Sequence, residues 1–262
     1  MRRDEIHIMK RIVTAEVFKN YALNDNICLM EVIAPELAAE SVPGQFVNVT
    51  IPNSSNLLRR PFGVADVCVP RGSITLIYRV IGEVTKQMTE LQPGDKLSIV
   101  GPLGQGFDLS ATKPLIVGGG TGLAPLLMLA KFGFGNGRAD LLIGGRKKSE
   151  VECWQELYKG NVQQIFVTTD DGSMGKQGTV MAELNDLLTK DYDCVYVCGP
   201  APMMRAVAEA STKAGKKCQV SLERYMACGL GACLACVCEG IGRRIKVCQE
   251  GPVFGAEDIK EW

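Results

Sequence analysis

Neither sign of charge is in excess in this chain: 29 lysines and arginines stand against 29 aspartates and glutamates. That balance argues against nucleic acid or an anionic membrane as the main partner. Long apolar runs are missing as well, and no stretch reaches the ~18 residues that a bilayer span needs. The opening Met1-Arg2-Arg3-Asp4-Glu5-Ile6-His7 is polar and no apolar h-region follows, so no secretory signal is expected and the protein reads as cytoplasmic. Histidine is nearly absent; His7 is the single one, lies in that polar stretch, and is assigned no role. There is no internal repeat and no low-complexity segment. What remains is 262 residues that are 46% hydrophobic, enough for two ordinary domains, or one large one with an appendage, around substantial cores.

Cysteine, by contrast, is abundant, with eleven in all. Four of them, Cys228, Cys233, Cys236 and Cys248, follow the spacing C-x4-C-x2-C-x11-C. That is the plant-type ferredoxin pattern for a [2Fe–2S] cluster, with three thiolates on one tight loop and a fourth from downstream. Gly229, Gly231, Ala232 and Ala235 lack the bulk that would stop the backbone from wrapping around sulfur, and glycine tolerates positive φ. Zinc is the competing reading. Its motifs usually show two separated C-x2-C knuckles or Cys/His mixtures, whereas only Cys233 and Cys236 form such a knuckle here. Cys238, two residues past Cys236, is an extra thiol that could exchange with it; the spacing favours Cys236. The other cysteines, Cys28, Cys68, Cys153, Cys194, Cys198, Cys218 and Cys238, are scattered and odd in number. Most read as small buried hydrophobes in a reducing compartment rather than a disulfide framework.

Residues 9–108 read as short strands rich in β-branched residues, near 13–18, 27–33, 45–51, 62–67, 73–80 and 96–101. Turns separate them at Pro43-Gly44, Pro52-Asn53, Pro70-Arg71-Gly72 and Pro93-Gly94-Asp95, a rhythm that suggests a small antiparallel barrel or sandwich. Near residue 112 the period changes. Apolar strands at 114–117, 141–145, 164–169 and 194–198 alternate with helical segments at 123–131, 150–159, 179–188 and 202–214, the signature of an α/β domain with a parallel sheet. The expected architecture is therefore α+β and multidomain: an antiparallel β-barrel over 1–110, an α/β parallel-sheet domain over 111–217, and a cysteine segment over 218–262.

Gly118-Gly119-Gly120-Thr121-Gly122-Leu123-Ala124-Pro125 follows an expected strand and opens an expected helix. Such glycines let backbone approach a pyrophosphate, and the helix start offers unpaired N–H groups. The run is not G-x-G-x-x-G with a downstream ribose acid, and alone it could be a tight strand-to-helix turn. Cys198-Gly199-Pro200 ends another strand on the same expected sheet edge, where α/β sheets bind ligands; together the two turns favour a nicotinamide nucleotide. Arg59-Arg60-Pro61-Phe62-Gly63 could place a cation on a phosphate or be a surface basic pair before a strand. Ile77-Tyr78-Arg79 adds a ring and a second cation, and Gly82-Glu83-Val84-Thr85 a small residue and a hydroxyl at a strand-to-helix junction. A flat flavin, a diphosphate and an adenine would need this mixture. Arg146-Lys147-Lys148 could favour a 2′-phosphate; Asp170 and Asp171 would repel one and accept ribose hydroxyls.

In this order, Arg60-Pro61-Phe62-Gly63, Tyr78-Arg79, Gly101-Pro102-Leu103-Gly104-Gln105-Gly106-Phe107, the glycine run, Cys198-Gly199-Pro200, and the cysteine segment through Val247-Cys248-Gln249-Glu250-Gly251-Pro252-Val253-Phe254 resemble the electron-transfer subunits of dihydroorotate dehydrogenase B, a branch of the ferredoxin–NADP reductase superfamily. The likeness spans about residues 9 to 255. It implies FAD at Arg60, Pro61, Phe62 and Gly63, at Ile77, Tyr78 and Arg79, and at Val84 and Thr85. It also implies a nicotinamide nucleotide, NAD rather than NADP, near Gly119, Gly120, Thr121, Gly122, Cys198 and Gly199, and a [2Fe–2S] cluster on Cys228, Cys233, Cys236 and Cys248. Members of that family often carry Ser where Gly63 stands, so one hydroxyl contact to flavin is missing. The implied role is an oxidoreductase subunit that exchanges hydride with NAD on one side and single electrons with an FMN-containing catalytic subunit on the other. The implied assembly is a heterotetramer of two of each, in pyrimidine synthesis. The alternatives are a subunit of a hydrogenase or of a ferredoxin-linked NAD(P)H oxidoreductase, and a non-catalytic iron–sulfur redox sensor.

Overall fold

In the computed structural model, residues 10–52, 54–134 and 139–262 are described. His7 and Asn53 of the expected Pro52-Asn53 turn lie outside the described residues. The first strands are β1 (Arg11–Asn24), β2 (Ile27–Ile33), β3 (Phe46–Thr50), β4 (Arg60–Cys68), β5 (Ser73–Arg79) and β6 (Lys96–Leu103). They close an antiparallel barrel in the order β1-β2-β5-β4-β3-β6. Of the two readings, barrel or sandwich, the barrel is correct. Strand alternation decides what each face does. On β3, Val47 and Val49 pack in the barrel interior, while Phe46 packs outward against the second domain. On β5, Ile74, Leu76 and Tyr78 fill the barrel, and Ile77 faces the neighbouring core. Two short helices plug the connections, α1 (Pro35–Glu40) and α2 (Glu83–Glu90). Only the start of α2 is visible in the sequence pattern; α1 is a six-residue helix without a period of its own.

The second unit carries β7 (Pro114–Gly119), β8 (Asp140–Gly145), β9 (Ile165–Thr169), β10 (Lys176–Gln177), β11 (Cys194–Cys198) and β12 (Lys217–Ser221). These pair in parallel in the order β10-β9-β8-β7-β11-β12. Leu115, Ile116, Val117, Leu141, Leu142, Ile143, Val195, Tyr196 and Val197 are all fully buried, as expected of strands covered on both faces. The covering helices are α3 (Leu123–Met128), α4 (Lys148–Tyr158), α5 (Met181–Leu187) and α6 (Ala201–Lys213). The helix expected over 123–131 is α-helical only to Met128 and widens into a π turn over Leu129–Gly133. Strand order reverses between β7 and β11, which puts the crevice outside their C-terminal ends at the topological switch point.

The remaining strands are β13 (Val237–Glu239), β14 (Arg244–Lys246) and β15 (Val253–Gly255), with helix α7 (Val247–Glu250) between the last two. The cysteine segment is stitched into the sheet at both ends. β12 extends the parallel sheet beside β11, and β15 adds antiparallel to β12 through Gln219↔Gly255, Val220↔Phe254 and Ser221↔Val253. The segment also latches onto the barrel, where Gln105 N–H donates to the Gly251 carbonyl at 2.6 Å. A side chain at Gly104 (φ +76) would strike the Gly251 oxygen and the Pro252 ring at 2.5 and 2.6 Å, so only glycine allows the latch. Every cysteine among the described residues is free of disulfides, and Cys28, Cys194, Cys198, Cys218 and Cys238 are buried.

Candidate functional site

Two clefts open where the barrel meets the C-terminal edge of the sheet. The first, about 470 Å³, is lined by Arg60, Pro61, Phe62 and Gly63 from β4, Ile77, Tyr78 and Arg79 from β5, and Gly82, Val84 and Thr85 at the start of α2. Across from them stand Thr121, Ala124, Pro125 and Cys198 from the sheet edge. A third wall comes from the cysteine segment: Ser221, Leu222, Glu223, Arg224, Met226 and Pro252. Sequence reasoning missed this third wall. Nothing local marks these residues; the β12–β15 pairing brings them in.

The arginine pair divides its work. Arg59 turns back onto the barrel, where its guanidinium donates to the Ser98 carbonyl at 2.7 Å and the Ser98 hydroxyl at 2.9 Å. Arg60 lines the cleft, braced by the Leu58 carbonyl at 2.6 Å. The Tyr78 ring sits in the barrel core, edge-on to Phe62 at 5.9 Å, with its hydroxyl donating to Asn20 Oδ1 at 3.2 Å. Burial, then the neighbouring Cys28, pushes that phenol well up, so it is held neutral where the ring borders the cleft. Thr85 Oγ1 accepts from the N–H groups of Ile81 and Gly82 at 3.0 Å and donates to the Gly82 carbonyl at 2.9 Å. Its hydroxyl is spent on fixing the turn at the start of α2, whose first residues border the cleft. At Gly63, a Cβ would press Pro125 at 3.0 Å, so the missing hydroxyl goes with a close approach between barrel and sheet.

The two sheet-edge turns touch. A Cβ on Gly122 would lie 2.5 Å from the Cys198 carbonyl carbon and the Gly199 nitrogen. Gly119 and Gly199 both face Met203, and neither is among the residues lining these two clefts. Gly120 does line the second cleft, about 830 Å³, together with Gly144, Gly145, Arg146, Glu150 and Asp171 of the sheet and Arg79, Val80 and Ile81 of the barrel. Arg79 borders both clefts. Arg146 is committed to Glu150, at 2.9 and 2.5 Å, and this pairing outweighs burial to hold the Glu150 carboxyl below the usual carboxylate range. Burial raises the Cys198 thiol far above its ordinary value, so it stays protonated.

The cysteine loop turns its backbone toward sulfur. Leu230 N–H and Cys233 N–H point at Cys228 Sγ at 3.3 and 3.4 Å, and Cys248 N–H points at Cys236 Sγ at 3.4 Å. Burial would raise the Cys228 thiol, but those N–H donors and Cys233 overcome it and hold it at about 6. Cys248, deeper and beside Cys236, is pushed up to about 12. Backbone N–H contacts to sulfur link the four cysteines in two pairs, Cys228 with Cys233 and Cys236 with Cys248. Among the described residues no three His, Cys, Asp or Glu side chains gather around one point. Two pairs suit a two-iron rhomb better than one tetrahedral ion. Tight wrapping forces Leu234 to φ 60, the one non-glycine residue at positive φ among the described residues. Cys238 is buried and burial raises its thiol, whereas Cys236 takes the Cys248 N–H, a geometry that favours Cys236 over it as a ligand.

Comparison with known proteins matches these parts one by one. Residues 15–107 match an oxidoreductase FAD-binding domain, 116–209 an oxidoreductase NAD-binding domain, and 223–260 the iron–sulfur cluster binding domain of dihydroorotate dehydrogenase B. The chain is 41% identical over 222 residues to the dihydroorotate dehydrogenase B (NAD⁺) electron transfer subunit of Caldanaerobacter subterraneus subsp. tengcongensis, covering 83% of this chain and 86% of that one. With the corresponding subunit of Desulforamulus reducens it shares 35% identity over 260 residues, covering 94% and 97%. The chain belongs to the family of dihydroorotate dehydrogenase B electron transfer subunits. As a member of that family it carries an FAD-binding barrel, an NAD-binding sheet and a cluster-binding segment. Among solved structures, an NADH-dependent reduced ferredoxin–NADP oxidoreductase superposes with TM-score 0.83 at 28% identity, covering 94% of this chain and 89% of that one. The ferredoxin reductase of carbazole 1,9a-dioxygenase shares the fold, with TM-score 0.67 at 20% identity over 80% of this chain and 68% of that one. No helix among the described residues is long and apolar enough to cross a membrane.

Proposed function

We propose that the chain relays electrons between NAD and an FMN-containing dihydroorotate dehydrogenase catalytic subunit, two copies of each, in the cytoplasmic synthesis of pyrimidines. The observation that carries this reading is the three-sided first cleft: barrel, sheet edge and cysteine segment each form one wall. When bound there, FAD exchanges electron pairs with a nicotinamide and single electrons with a cluster, which is the conversion such a relay needs.

The chain's own residues bind and orient. Arg60 and the N-terminus of α2 supply the cation and N–H donors that a diphosphate takes, and Arg79 adds a second charge on the border with the second cleft. Phe62, Gly63 and Ile77 with Pro125 across the joint close the isoalloxazine side against water. The neutral Cys198 thiol keeps the sheet-edge floor uncharged. In the second cleft, Gly120, Gly144 and Gly145 let a dinucleotide approach the backbone. Asp171 stands there for ribose hydroxyls, and Glu150 occupies Arg146, which favours NAD over NADP. Cys228, Cys233, Cys236 and Cys248 hold the cluster, with the loop N–H groups directed at sulfur.

The test mixes the purified holoprotein with an FMN-containing dihydroorotate dehydrogenase subunit and follows NADH formation. The reading expects dihydroorotate-dependent NAD⁺ reduction only when both proteins are present. A second reading, a ferredoxin-linked NAD(P)H oxidoreductase subunit, draws on the superposition at TM-score 0.83. NADH formation from reduced ferredoxin, with none from dihydroorotate, would favour it instead.

A further inference from the structure

Asn48 breaks the pattern of its strand. It lies mid-way along β3, opposite Pro61 of β4 and Val100 of β6. By alternation its side chain shares the outer barrel face with Phe46, which belongs with Val100 and Leu103 to the core that also takes in Cys236, Cys238 and Cys248. Asn48 has no solvent exposure, and neither Nδ2 nor Oδ1 has a hydrogen-bond partner among the described residues. A buried, unpaired amide is destabilising, because its desolvation is not repaid by a hydrogen bond. Native chains retain such a conflict between residue and surroundings mainly where function demands it.

The neighbour is informative. Gly229 follows ligand Cys228 and sits at φ +69; a Cβ there would fall 2.2 Å from Asn48 Nδ2 and 3.1 Å from Leu103 Cδ1. The loop is therefore a glycine at the one point where the amide reaches it. Asn48 thus stands between two pieces of machinery: its strand partner Pro61 lines the first cleft, and its amide nitrogen abuts the corner of the cysteine loop.

We propose that Asn48 is a positioning residue for the iron–sulfur cluster, its Nδ2–H donating to the sulfur shell at the Cys228–Gly229 corner and pinning the loop to the barrel wall behind the flavin segment. The inference rests on the cysteine loop carrying the [2Fe–2S] cluster. A donor hydrogen bond stabilises the more negative, reduced cluster and so raises its potential. In the cluster-free protein the same amide is a burden, since it is buried without a partner.

Those two effects have opposite signs, which makes the test sharp. Asn48→Leu keeps the size and removes both polar atoms; Asn48→Ala is the second variant, smaller and free of overpacking. Iron and acid-labile sulfide are first measured on the wild-type holoprotein. Redox titration followed by electron paramagnetic resonance then gives the cluster midpoint and g-values, and thermal melts are run on cluster-free protein. Both variants should keep FAD and lower the cluster's one-electron equilibrium about tenfold, about 59 mV, with shifted g-values. Cluster-free Asn48→Leu should melt no lower than cluster-free wild type. Unchanged midpoint and g-values in variants that hold a full cluster would overturn the role of Asn48. Wild-type protein that binds no iron and sulfide would overturn the reading of the loop itself, and this inference with it.

Discussion

Replacing one arginine of the Arg59-Arg60 pair should cost flavin, and replacing the other should cost stability. Arg60 lines the first cleft and, among the described residues, is braced by the main-chain carbonyls of Leu58 and Arg59. If its guanidinium holds a flavin phosphate, Arg60→Ala removes one charge-assisted hydrogen bond, about 1.5–3 kcal/mol. That converts to an FAD Kd weakened about 10- to 150-fold, while the flavin-free protein should melt within a degree or two of wild type. Arg59→Ala removes two bonds to Ser98 from the barrel wall. The same 1.5–3 kcal/mol then appears as stability, lowering Tm by about 3–12 °C for a chain this size, with FAD affinity within twofold of wild type. The assay is fluorescence titration of flavin-free protein with FAD, paired with melts of the same samples. Equal FAD affinity in Arg60→Ala and wild type, or a loss as large in Arg59→Ala, would refute the assignment.

Gly122→Ala would drive a Cβ to 2.5 Å from the backbone of Cys198 and Gly199. About 1–3 kcal/mol of strain should result, together with a higher KM for NADH in diaphorase assays; an unchanged Tm would count against the rigidity of that joint. Cys233→Ser should abolish partner-dependent turnover yet keep NADH oxidation with an artificial flavin acceptor, and equal loss of both activities would mean that the cluster is needed for folding instead. Glu31 is 3% exposed and bonded to Ser73, Arg71 at 2.6 Å and Lys19 at 3.0 Å. Burial alone would raise its carboxyl, but these three partners overcome it and hold it below the ordinary 4.5. A depressed folded value means that its stabilisation is complete above 4.5 and fades as pH falls through that lower value. Glu31→Gln should therefore destabilise by about 1–3 kcal/mol at neutral pH, a gap that denaturant melts should see narrow in acid; a gap that holds constant with pH would contradict the network.

Much of this fold is written locally. The barrel strands announce themselves through β-branched runs cut by Pro-Gly turns, and β7, β8 and β11 through apolar stretches too short for helices. The cysteine spacing and the glycine run mark where cofactor chemistry lies. What the sequence hides is set by pairing between distant segments. Lys217–Ser221 and Val253–Gly255 are short strands, and only their register on β11 and on each other brings Leu222, Met226 and Pro252 to the first cleft. Which of Arg59 and Arg60 faces that cleft depends on the register of β3, β4 and β6. The Tyr78 ring takes the inward position of its strand while still bordering the first cleft, a placement set by the barrel and not by the local pattern. Asn48 is one polar letter in Phe46-Val47-Asn48-Val49, and its meaning comes from Gly229, far along the chain.

FAD in the first cleft should be the obligatory step between NAD and the cysteine loop. Anaerobic titration with NADH, followed by visible absorption and by electron paramagnetic resonance of frozen samples, tests it directly. Holoprotein should show flavin bleaching together with a reduced-cluster signal, flavin-stripped protein should show no cluster signal, and that signal should return when FAD is restored. A cluster reduced by NADH just as readily without flavin, or one that stays oxidised while the flavin bleaches, would contradict that order.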